Sequence, residues 1–68
     1  MKVNDVKVGE AMVTLSSDEL GFLGNAINEA LGAISEWEFR TRTGETPKRA
    51  REMLSELRNI LEKTDKQS

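Results

Sequence analysis

Cysteine and histidine are both missing from this 68-residue chain. Without cysteine there is no disulfide and no thiolate metal site, and the redox compartment is left open. Without histidine the usual zinc, copper and haem ligand sets cannot be assembled, nor can a histidine-based general base or catalytic triad. A glycine-rich phosphate loop is also absent. No apolar run approaches the roughly 20 residues that span a bilayer, and the N-terminus lacks a hydrophobic region followed by a cleavage site, so the expected address is the cytoplasm. Ten basic against twelve acidic residues leave a formal charge of −2, which argues against general polyanion binding while allowing a local basic patch.

Without a covalent or metal staple, a single core of this size supplies about 3–5 kcal/mol of net stability. Self-association is the expected source of extra burial, and a homodimer the expected state. Nothing marks a second domain: there is no internal repeat, linker or low-complexity segment.

The expected fold is α+β, an N-terminal β-hairpin followed by two main amphipathic helices joined by a short helix. Residues 2–15 read as the hairpin. A type II′ turn at Gly9-Glu10 would set Val8 opposite Ala11, Val6 opposite Val13 and Asn4 opposite Leu15. Val6, Val8, Ala11, Val13 and Leu15 then share one face, with Asp5, Lys7, Met12 and Thr14 on the other. A lone hairpin is marginal in water, so it must pack on the helices or pair edge to edge with a second copy. Met12 is a second candidate start, and a chain beginning there would have no hairpin.

Ser16-x-x-Glu19 is a capping box that opens a helix over 17–34. Leu20, Leu23, Ile27, Leu31 and Ile34 form its apolar stripe, with Ala26, Ala30 and Ala33 widening it. Gly21, Gly24, Asn25, Asn28, Gly32 and Ser35 form a second stripe, small and uncharged. Glycine inside a helix costs about 0.8–1 kcal/mol relative to alanine, so either another backbone comes close here or the surface is tolerant. Ser35-x-x-Glu38 repeats the capping pattern for a short helix over 36–43, stopped by Gly44. Thr46 as N-cap and Pro47 at the first helical position open the last helix over 47–62, with Ala50, Met53, Leu54, Leu57, Ile60 and Leu61 as its seam. Residues 64–68 are expected to fray.

Two constellations carry functional expectations. The first is the segment around Trp37, which brings the lone tryptophan together with Phe39, Arg40 and Arg42. These are the residue types that anchor recognition surfaces, although burying a large aromatic in the core is the plainer use. The second is Arg40, Arg42, Lys48, Arg49 and Arg51, five positive charges in twelve residues on the outline of a helix-turn-helix DNA reader. That outline is imperfect. Arg40 stands where the motif needs a small residue, Glu45 where it wants an apolar one, and Glu36 and Glu38 would meet phosphates. The carboxylates Asp18, Glu19, Glu29, Glu36, Glu38, Glu45, Glu52 and Glu56 fall at helix caps or on polar faces, so no catalytic, metal or cofactor residue is expected.

Leu15-Ser16-x-Asp18-Glu19-Leu20, Asn25-Ala26-x-Asn28-Glu29-x-Leu31 and Trp37-Glu38-Phe39-x-Thr41-Arg42-x-Gly44 resemble a group of small uncharacterised bacterial proteins with N-A-x-N-E and E-F-x-T-R-x-G segments and a final amphipathic helix. The resemblance covers about residues 13–61. It implies an immunity-type protein of a toxin system, one that binds and masks another protein. It also makes the matching positions Asn25, Asn28, Glu29, Trp37, Glu38, Phe39, Thr41 and Arg42 candidates for a shared surface or shared packing. Ordinary packing roles stand beside that reading: Thr41 bonding back into its helix, Arg42 pairing with Glu29 or Glu38, and Asn28 and Glu29 satisfying nearby backbone. The expected function is a non-enzymatic protein-binding domain; the alternative is a DNA-binding regulator using residues 36–51.

Overall fold

The structure, a computed structural model, describes residues 1–66. Strands β1 (Lys2–Lys7) and β2 (Glu10–Thr14) precede helices α1 (Ser17–Ala33), α2 (Glu36–Thr43) and α3 (Pro47–Lys66). This is the α+β order the sequence predicts.

Each helix starts on a hydroxyl cap. Ser16 Oγ accepts from Glu19 N at 3.2 Å and Glu19 Oε1 accepts from Ser16 N at 2.9 Å, completing the box at α1. At α2, Ser35 Oγ accepts from Glu38 N at 3.3 Å, and Gly44 closes the helix in the left-handed region with φ 76°. Thr46 Oγ1 accepts from Arg49 N at 3.1 Å and so caps α3. The last helix outruns its expected end at Glu62 and continues through Lys66; residues 67–68 of the expected tail lie outside the described residues. Thr64 supplies a reason. Its hydroxyl donates to Leu61 O at 2.7 Å and accepts from Ser17 Oγ at 3.3 Å, tying this turn to the start of α1.

Helices α1 and α3 pack along each other and make the core. Its buried apolar side chains are Leu20, Phe39, Ala50 and Leu54, each 4–6% exposed. On α3, Ala50, Leu54, Leu57 and Leu61 turn inward at helical steps, whereas Met53 and Ile60 of the expected seam are 39% and 46% exposed. Gly24 is buried inside the α3-facing side of α1, so the glycine stripe is not wholly turned away from the partner helix. An added Cβ at Gly24 would meet Leu54 Cδ1 at 3.6 Å, and one at Gly21 would meet Leu61 Cδ2 at 4.0 Å. Both are ordinary contacts. Close approach therefore does not require glycine at either position.

The hairpin departs from expectation in its register. Lys7 pairs with Glu10, Val6 with Ala11 and Asp5 with Met12, so the turn is Val8-Gly9 rather than Gly9-Glu10. Gly9, at φ 88°, takes the positive angle at the second central position, as in a type II turn. The shift is two residues across the pair, and an even shift preserves the faces. Beyond Asp5 a bulge leaves Asn4 unpaired and resets the register to Val3 opposite Val13 and Lys2 opposite Thr14. Thr14 Oγ1 donates to Asn4 Oδ1 at 2.9 Å across this irregularity. The bulge thereby joins Val3 to Val6, Ala11 and Val13 on one face.

That face packs on nothing. Neither strand contacts a helix among the described residues, and residues 1–14 are all exposed, so of the two supports expected for the hairpin, packing on the helices is not the one this chain uses. A link to α1 comes from the Met1 ammonium, which pairs with Glu19 Oε2. This contact, with the Ser16 amide, holds the Glu19 carboxyl below its ordinary value.

Gly21→Ala and Gly24→Ala each raise stability to urea by up to about 0.8–1 kcal/mol through helix propensity. Gly44→Ala lowers it by roughly 1–2 kcal/mol, because alanine resists the left-handed region. A depressed carboxyl stabilises the fold above its unfolded value, ~4.3 for glutamate, and that contribution is lost as pH falls through the lower folded value. Thermal melts of Glu19→Gln across this range therefore show a shallower acid decline than the parent.

Candidate functional site

Helix α2 rotates about 100° per residue, so its two aromatics, two positions apart, point to nearly opposite sides. Phe39 turns inward to 4% exposure, while Trp37 stands 75% exposed. Phe39 is thus a core residue and not the recognition anchor expected of it. Its ring closes the corner where α1, α2 and α3 meet, beside Ala26, Ile27, Ala30 and Ala50.

Trp37, Arg40, Thr41 and Gly44 recur at three- and four-residue steps, which places them on one stripe of α2. With Glu45 and Thr46 from the link to α3 they line an open groove of ≈ 350 Å³. Its floor is held by local bonds. Thr41 Oγ1 donates to Trp37 O at 3.1 Å, and Thr43 Oγ1 donates to Phe39 O at 2.6 Å while accepting from Glu45 N at 3.1 Å. Arg40 has no ion-pair partner among the described residues, leaving its guanidinium available beside the indole. Arg42 instead pairs with Glu38 across one turn at 3.5 Å, one of the two partners expected for it.

Asn28 and Glu29 lie elsewhere. They line a wider groove of ≈ 700 Å³ between α1 and α3, facing Arg51, Ser55 and Arg58. No residue is common to the two grooves. Neither Asn28 nor Glu29 makes a side-chain hydrogen bond among the described residues, so the expectation that they satisfy nearby backbone is not met. The six candidates from sequence therefore divide among one groove (Trp37, Arg40), a second groove (Asn28, Glu29), the core (Phe39) and a local ion pair (Arg42).

Thr41, one of the positions the resemblance marks, joins the Trp37 groove, and Gly44, Glu45 and Thr46 complete it without having been expected as site residues. Helical spacing from Trp37 identifies Thr41 and Gly44; Glu45 and Thr46 carry no such signal. The basic residues Arg40, Arg42, Lys48, Arg49 and Arg51 are all exposed across α2, its link and α3. Arg49 is paired with Glu52 at 3.8 Å. Exposed pairs of this kind contribute little and leave either side chain free to exchange partners. No helix among the described residues is long and apolar enough to cross a membrane.

Comparison with family models, with curated proteins and with solved structures gives no match.

With its indole at 75% exposure, Trp37 is quenched by acrylamide nearly as readily in the folded protein as in urea, and its emission barely shifts on unfolding. Phe39→Ala costs about 3–5 kcal/mol, comparable to the whole stability of a domain this small, and circular dichroism reports a largely unfolded chain.

Proposed function

We propose that this is a non-enzymatic protein-binding domain of the cytoplasm, an immunity- or antitoxin-like inhibitor that masks a partner protein, with Trp37 and Arg40 as its anchors. The observation that carries the reading is the lone tryptophan, 75% exposed on a groove with an arginine that has no ion-pair partner among the described residues. Tryptophan and arginine are the residues most enriched among those that dominate binding energy, and an exposed indole removed from water on docking contributes a large apolar area. The groove is shallow, and a polar rim of Thr41, Glu45 and Thr46 surrounds the ring. That suits a side chain or short segment of another protein better than an enclosed small molecule. Glu36 and Glu45, exposed nearby in sequence, favour a partner with basic groups at the rim. The inhibitor reading itself comes from the resemblance of the N-A-x-N-E and E-F-x-T-R-x-G segments to immunity-type proteins.

Trp37→Ala and Arg40→Ala leave helical circular dichroism and melting nearly unchanged, since neither side chain is buried, yet each weakens a co-purifying partner by about 2 kcal/mol or more in titration calorimetry. A partner that binds both variants as tightly as the parent overturns the assignment. The DNA alternative predicts retention on duplex DNA at low salt, falling steeply as salt rises and flattened by replacing Arg40, Arg42, Lys48, Arg49 and Arg51. No retention at low salt is the expected result.

A further inference from the structure

The hairpin stands apart from the helices with an apolar face of Val3, Val6, Ala11 and Val13, and both of its edges are open. We infer that β2 is a self-pairing edge, joining β2 of a second copy antiparallel about a two-fold axis at Met12 to make a four-stranded sheet. This inference does not rest on the Trp37 groove.

The two edges differ in how they are guarded. Strand β1 carries the bulge at Asn4 and three charges, Lys2, Asp5 and Lys7, all devices that block edge-to-edge pairing. Strand β2, Glu-Ala-Met-Val-Thr, is regular, with no proline, no lysine and one charge. Its backbone points the right groups outward. Hydrogen-bonded and non-hydrogen-bonded pairs alternate in an antiparallel ladder, and Lys7 opposite Glu10 closes the turn as a bonded pair. Glu10, Met12 and Thr14 thus turn their backbone groups to β1, and Ala11 and Val13 turn theirs to solvent.

A two-fold at Met12 satisfies these outward groups. Ala11 of each copy exchanges both bonds with Val13 of the other, Met12 meets its own counterpart, and Glu10 lies opposite Thr14, so no like charges are opposed. Residues of equal parity fall on the same side. The two patches of Val3, Val6, Ala11 and Val13 consequently merge into one apolar face, and a sheet of three or more strands with such a face has the independent stability a lone hairpin lacks. A seam five residues long is far smaller than the ~1,200–2,000 Å² of a standard interface, so the dimer is weak and concentration-dependent.

Sedimentation equilibrium of the full chain from about 1 μM to 1 mM is the test, a span covering weak to moderate affinities. The expected result is a monomer–dimer equilibrium. Ala11→Pro removes an outward N–H twice per dimer without touching the intramolecular ladder, and raises the dissociation constant by at least about tenfold. Val6→Pro removes the equivalent outward N–H on β1 and leaves the constant unchanged. Amide exchange of the parent adds a readout independent of either variant: Ala11 and Val13 become protected as concentration rises, while Met12 is protected throughout. A parent that stays monomeric to 1 mM, a dimer indifferent to Ala11→Pro, a dimer broken by Val6→Pro, or Ala11 and Val13 amides that stay unprotected in the dimer overturns the inference.

Discussion

The helical part of this molecule depends on the packing of α1 against α3 with Phe39 set into the corner between them. Four well-buried apolar side chains, Leu20, Phe39, Ala50 and Leu54, come from three different helices, so removing any one helix opens the core from two sides. Burying a residue of the size of leucine or phenylalanine contributes about 1.5–3 kcal/mol, and α2, eight residues long, is too short to stand alone in water. The short helix α2 survives because its one inward ring is shared by both long ones. Its outward stripe is thereby fixed as well.

The groove at Trp37 is the reverse side of that same arrangement. Once Phe39 points into the corner, helical rotation forces Trp37 to the opposite side, and Arg40 and Thr41 follow it one turn later. Caps at both ends hold the orientation: Ser35 at the start, Gly44 in the left-handed region at the end, and the Thr43 hydroxyl bridging to the link beyond. The core and the groove are two consequences of one helix being eight residues long with aromatics at its second and fourth positions.

The hairpin belongs to a different order of stability. It shares no packing with the helices, and its valines face water, so its persistence rests on its own ladder, the Thr14–Asn4 bond and the Met1–Glu19 contact. A protein whose small helical core excludes one of its own elements keeps apolar surface in reserve. That surface lies on a different element from the indole.

Much was legible in the chain itself because it depends on neighbours in sequence. Serine and threonine caps, the left-handed glycine at 44 and the apolar steps of three and four act over a single turn, and they place α1 and α2 within a residue of their observed bounds and the start of α3 at Pro47. The end of α3 was not legible, since Thr64 is held by Ser17, forty-seven residues away. Nor was the hairpin register: Val8-Gly9 and Gly9-Glu10 are both acceptable turns locally, and the bulge at Asn4 is settled by pairing across the strands. Helical spacing accounts for Phe39 opposite Trp37 and for the Arg42–Glu38 pair, whereas the placement of Asn28 and Glu29 in a separate groove came from the packing of α1 on α3. Local patterning thus determined which segments fold and where they break, through backbone bonds that a few residues can satisfy by themselves. Which faces those segments bury, and therefore which side chains are left exposed, was decided by tertiary structure, because burial is a competition between distant surfaces for the same small core.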